Sequence, residues 1–189
     1  MHVNAKKIAL GGLMLALTEV CITLGSIMET NTLFLLAAAS FFVGIVIREA
    51  GLPSGGAFLL AGVLLGLLVS PNKLYVLSYA AMGCYILAAE AVWKFLGKVP
   101  GSSGEGAEAS FEKTVRRRRI WFWAAKYLVF NLMYLPMLLV FQKLLFGREL
   151  PALMLVGAVI AGQIGIFLYD RAYEYVQVHL WGKLRGRFL

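Results

Sequence analysis

Residues 4–28 read NAKKIALGGLMLALTEVCITLGSIM. Two lysines give way to an uninterrupted apolar run in which Glu19 is the only charge. A run of that length matches the roughly 20 residues that carry a helix across a bilayer. It is too long for a cleaved signal segment and lacks a small-residue cleavage site, so it is expected to stay as a helix.

The pattern repeats down the chain. Further apolar stretches cover about Thr32–Ile47, Gly56–Val69, Leu74–Leu96, Ile120–Phe146 and Pro151–Tyr169. Hydrophobic residues make up 60% of the 189, and the mean hydropathy is +0.78. A soluble domain holds roughly 45–50% apolar residues. The expected fold class is therefore an all-α integral membrane protein, a compact bundle of about six transmembrane helices in a single membrane domain spanning 1–189. The second and third stretches are short for full crossings. They read as short helices, tilted pieces or a re-entrant pair joined over residues 48–56.

Charge orders the bundle. With the N-terminus in the cytoplasm, Lys6, Lys7, Arg48, Lys94, Lys98, Lys113, Arg116, Arg117, Arg118, Arg119, Lys126, Arg171, Lys183, Arg185 and Arg187 all fall inside. That is 15 of the 18 Lys and Arg; Lys73, Lys143 and Arg148 fall outside. The positive-inside rule then places both termini in the cytoplasm of a multi-pass cell-membrane protein. The net charge of +8 is spent on topology, which argues against nucleic acid as a partner. Residues 97–119 read as a flexible, basic cytoplasmic loop between spans four and five, Gly- and Ser-rich before the four arginines. Arg116–Arg119 run into Trp121, Phe122 and Trp123, the pattern of a helix entering the headgroup layer.

Small residues recur at four-residue spacing: Ala5 and Ala9, Gly12 and Ala16, Ala57 and Ala61, Gly62 and Gly66, Gly157 and Ala161, Ala158 and Gly162. Such a face lets another backbone approach closely. The neighbour is either another helix of this bundle or a separate membrane subunit, and the first span is the better candidate for docking.

A carboxyl group at the depth of Glu19 is costly and marks a functional candidate, in a polar pocket or paired with a polar group on another helix. Glu90 precedes Lys94 by one turn, and an i,i+4 ion pair is its simplest reading. Glu29, Thr30 and Asn31 cap the first outer turn, and Asn72 and Lys73 belong to the second. Tyr75 and Tyr79 follow in span four. Asn131 and Tyr134 precede Pro136 in span five, and Gln163 lies in span six. Glu19, Asn31, Asn72, Tyr75, Tyr79, Asn131, Tyr134 and Gln163 could together line a pocket opening outward for a small, partly aromatic ligand. Taken singly, each also reads as a cap or an interface anchor. Asp170, Arg171 and Glu174 read as a solvated amphipathic helix at the inner surface.

The chemistry of catalysis is thin. The two histidines, His2 and His179, lie near the chain ends, and Asp170 is the only Asp. Cys21 and Cys84 sit in apolar stretches with no metal-ligand spacing. Ser54 has no sequence-evident base. We therefore expect no enzyme, no catalytic residues, no metal and no cofactor. No Gly-x-x-x-x-Gly-Lys-Ser/Thr loop is present, so ATP hydrolysis has to come from a partner.

A six-span chain of this length that opens Asn4-Ala5-Lys6-Lys7-Ile8-Ala9-Leu10-Gly11-Gly12-Leu13-Met14-Leu15-Ala16-Leu17 resembles the substrate-binding (S) components of energy-coupling factor transporters. The resemblance implies that Ala5, Ala9, Gly12 and Ala16 dock against an energising membrane subunit served by ATPases. It implies capture of a small-molecule ligand, a vitamin or related micronutrient, on the outer side, followed by toppling of the bundle in the membrane. No vitamin-specific signature names the substrate. The other reading is a non-enzymatic membrane scaffold of a cell-shape or cell-envelope complex. Besides the ligand, membrane lipid is a partner under either reading.

Overall fold

The computed structural model describes residues 5–96, 108–140 and 151–183. Among these the chain is helical, with no strand. The helices are α1 (Ala5–Ile27), α2 (Thr32–Ala50), α3 (Leu52–Val69), α4 (Lys73–Leu96), α5 (Glu108–Val140) and α6 (Ala152–Tyr175). A short 3-10 turn, Glu29–Asn31, links α1 to α2, and α6 runs on as a π-helical segment, Val176–Trp181. Five of the six are long and apolar enough to span a membrane. The exception, α5, carries four arginines at residues 116–119, and part of the fifth apolar stretch lies beyond Val140, outside the described residues.

Two sequence expectations change here. Residues 108–119, read as the end of a loop, are already helical; residues 97–107 lie outside the described residues. The second and third stretches become helices of 19 and 18 residues. At 1.5 Å per residue, α3 is about 27 Å long, close to the hydrocarbon thickness of about 30 Å. The gap between them shrinks to Gly51. Its φ of +94° is open to glycine and strained for other residues. Gly51 N–H donates to Ile47 O at 2.8 Å, closing α2, and Gly55 N–H donates back to Gly51 O at 3.1 Å. Pro53, in the first turn of α3, has no amide hydrogen to leave unpaired.

The turns at the other end are closed by side chains. Thr32 Oγ1 donates to Gly25 O at 2.9 Å and ties α2 to the last turn of α1. Lys73 Nζ donates to Leu67 O and, at 2.9 Å, to Ser70 O, covering orphan carbonyls of α3. Leu74 N–H donates to Asn72 Oδ1 at 3.0 Å and starts α4.

Helix α2 is the centre. Over an apolar 18-residue stretch of α2, 56% of the residues are buried, against 11% for the last helix. It packs on α1, α3 and α4, and α4 carries α5 on its far side. Glycines set the closest approaches. A methyl group on Gly55 would collide with Ile47, and one on Gly83 with Leu59. Gly66 sits against Val76, with Ile22 of α1 behind.

Candidate functional site

The residues expected to line one outward pocket fall into two groups and two caps. The first group is Glu19 of α1 and Tyr79 of α4, two helices that pack on each other. Tyr79 is fully buried, and its hydroxyl lies against Gly62 of α3, where an added Cβ would stand 2.7 Å away. Both Glu19 carboxyl oxygens and the Tyr79 hydroxyl are shut off from the surface without a hydrogen-bond partner. Unsatisfied polar atoms inside a bundle cost free energy. Asp170 Oδ2 and Gln177 Oε1 share that condition, but among the described residues Glu19 is the acid with neither oxygen paired, which makes this spot a candidate site for a polar group that is not part of the chain. Tyr75, one turn away on α4, packs half-buried against the core.

The second group belongs to α5 and α6. Gln163 Nε2 donates to Asn131 Oδ1 at 2.6 Å, and Asn131 Nδ2 donates to Tyr127 O at 2.8 Å. Tyr134 donates its hydroxyl to Ala158 O at 2.8 Å, its ring lying against Gly162 and stacked on Phe130 with centroids 5.0 Å apart. These amides satisfy one another and clip the two helices together. The caps are Asn72, at the start of α4, and Asn31, exposed at the end of the 3-10 turn.

The largest polar feature escaped the sequence. Lys126 of α5 is buried, and its ammonium group lies 2.6 Å from Asp170 Oδ1 of α6, itself buried. Tyr85 of α4 donates to the same oxygen at 3.2 Å. Glu174 stands 3.6 Å from the ammonium group, and the rings of Phe122 and Trp123 cover it at 4.4 and 5.4 Å. Lys126 is therefore a buried partner, not a solvated topology charge, and Asp170 is not part of a solvated surface helix. A lone aspartate or lysine here would carry an unpaired charge in a low-dielectric interior, so each requires the other.

The same face of the last helix continues the series. Tyr169 shares a 2.7 Å hydrogen bond with Ser40 of α2. Tyr173 donates to Glu90 Oε1 of α4 at 2.6 Å, and Arg48 of α2 donates to that oxygen at 2.8 Å. Glu90 thus takes Arg48 and Tyr173 in place of the expected Lys94. Gln177 donates to Phe41 O at 3.3 Å, and the Trp181 indole to Glu49 Oε1 at 3.0 Å. The π-helical turn brings both Gln177 and Trp181 onto the buried side. Positions 169, 173, 177 and 181 recur every four residues, the only trace of this spine in the sequence. Gly44 makes it possible, since a methyl group there would occupy the place of the Tyr173 ring.

Between this spine and the rest of the bundle lies a groove of about 850 Å³ walled by α2, α4, α5 and α6. Of the expected ligand residues, Tyr134 lines it. Among the described residues no three His, Cys, Asp or Glu side chains are grouped as metal ligands would be.

The small-residue pairs divide. Gly62 and Gly66 are buried inside the bundle, and Gly162 meets Tyr134. Ala5, Ala9, Gly12 and Ala16 are all exposed on one side of α1, and a Cβ on Gly12 would meet nothing within 4 Å. No family model, no curated protein and no solved structure matches the chain.

Proposed function

We propose that the chain is the substrate-capture subunit of a small-molecule uptake transporter, of the kind its first helix resembles. It works in the cell membrane with both termini in the cytoplasm, performs no chemistry, and is energised by ATPases acting through a membrane subunit. The observation that carries this reading is the bare face of Ala5, Ala9, Gly12 and Ala16. Small residues exposed in register on a membrane helix invite a second helix to close range. The unpartnered Glu19 and Tyr79, in the half of the bundle nearer the Asn31 turn, support a ligand with a polar or cationic group. Tyr75 lies one turn from Tyr79 and completes the proposed binding set; Asn131, Tyr134 and Gln163 clip α5 to α6 and Asn31 and Asn72 sit at turns, so these five fall outside it. The charge asymmetry supports the orientation even without Lys126, since 15 − 1 leaves 14 of 17 basic residues on one side.

The test is purification with a tagged chain. Two ATPases and a membrane coupling subunit should co-purify, and mass spectrometry should find a retained vitamin-sized molecule. Ala9→Leu and Gly12→Leu should each lower partner recovery at least tenfold and leave ligand retention unchanged. Unchanged partner recovery in both variants overturns docking through α1. Recovery with cytoskeletal or cell-wall proteins instead would establish the scaffold reading. A tag at Ser102–Ser103 should be labelled only after the cells are permeabilised.

A further inference from the structure

We infer that the groove between the last helix and α2 and α4 binds a single long hydrocarbon chain, the tail of a one-chain amphiphile. Three observations converge. The first is length. Along the last helix the lining runs from Gly162 to Leu180, a rise of about 27 Å, comparable to a bilayer's hydrocarbon thickness of about 30 Å. The second is that its polar groups are already used. Among the described residues four hydroxyls line it, and each bonds within the protein: Tyr134 to Ala158 O, Tyr85 to Asp170, Tyr169 to Ser40, and Ser78 to Leu74 O. Among the described residues none remains to recognise a polar ligand body, so selection rests on shape and apolar contact.

The third is size and access. At roughly 30 Å³ for a water-sized group, 850 Å³ holds about 28 such groups. One long chain fits; two acyl chains with their headgroup do not. The rim residues Leu33, Phe34 and Leu168 are exposed on the flank of the bundle, so a chain enters sideways from the bilayer. The binding itself stands whether or not the chain is a capture subunit.

Photolabelling tests this. The probe is a long-chain fatty acid with a diazirine at the chain end, added to the full chain in phospholipid nanodiscs and mapped by mass spectrometry. Adducts should saturate and concentrate on groove residues such as Met82, Phe130 and Ile166. Excess oleic acid or geranylgeraniol should compete, and the stronger competitor tells an acyl source from an isoprenoid one. Gly165→Leu should cut groove labelling at least fivefold, because a Cβ there meets nothing within 4 Å and the new side chain fills the lining without a clash. Gly157→Leu, equally unhindered but outside the groove, should leave labelling unchanged. Labelling that never saturates and spreads evenly over lipid-facing leucines means bulk bilayer lipid only and overturns the proposal. So does equal labelling of both variants. Saturable groove labelling without recovery of ATPases would sink the capture reading and leave the groove standing.

Discussion

Two acidic side chains inside the bundle are held in opposite ways. Asp170 has a lysine at 2.6 Å and a tyrosine at 3.2 Å on one oxygen. Glu19 has no hydrogen-bond partner on either. The contrast separates a buried acid that ties helices together from one that the fold leaves unsatisfied. Asp170 joins α6 to α4 and α5. Glu19 joins nothing, and its retention in an apolar helix is a cost to stability with no structural return.

Breaking the first acid's contacts should have the largest effect. Lys126→Met strands Asp170 and should destabilise by about 3–5 kcal/mol, read as a lower melting temperature in detergent. Replacing both, Lys126→Met with Asp170→Leu, should recover most of that loss, because the uncompensated charge is gone. If the double variant melts as low as the single one, the pair does more than cancel charge.

Next comes the seat of the spine. Gly44→Ala puts a methyl group where the Tyr173 ring lies and should cost about 1–3 kcal/mol. Tyr173→Phe in that background should cost little more, since the bond to Glu90 is already displaced; a full additional loss would show that Tyr173 keeps it by another path. Arg48→Ala falls between Gly44→Ala and Glu19→Leu. It leaves Glu90, whose side chain is 10% exposed, with the Tyr173 hydroxyl as its remaining partner among the described residues, so about 1–3 kcal/mol is expected.

Glu19 should behave in the reverse sense. Glu19→Leu removes two unsatisfied oxygens and should leave stability unchanged or raise it by about 1 kcal/mol; the proposed capture function further requires that it abolish ligand retention. A strongly destabilised Glu19→Leu would mean the carboxyl holds the fold, and the contrast with Asp170 would dissolve.

The helices were legible because a bilayer imposes one simple rule on sequence. Apolar runs near 20 residues become spans, and Gly51 with Pro53 marks the break between α2 and α3. The site was less so. Lys126 and Asp170 are 44 positions apart, and no local spacing links them. Lys126 sits seven residues beyond Arg119 and counted as one more flanking charge, although Phe122 and Trp123 beside it hinted at an enclosed cation. Glu90 had a plausible partner one turn away in Lys94, and tertiary packing supplied Arg48 and Tyr173 instead. The small-residue repeats were visible, but which faced inward depended on the aromatics opposite, Tyr79 for Gly62 and Tyr134 for Gly162.

The joint at Gly51 fixes how far the chain tolerates changes of length. One residue separates two helices that pack on each other, so the connection holds no slack. An inserted residue would turn α3 by about 100° and carry Gly55, Gly62 and Gly66 away from Ile47, Tyr79 and Val76 together. Evolution can edit what sits at this corner only by keeping its residue count, which makes it the place where an insertion scan should find the sharpest intolerance.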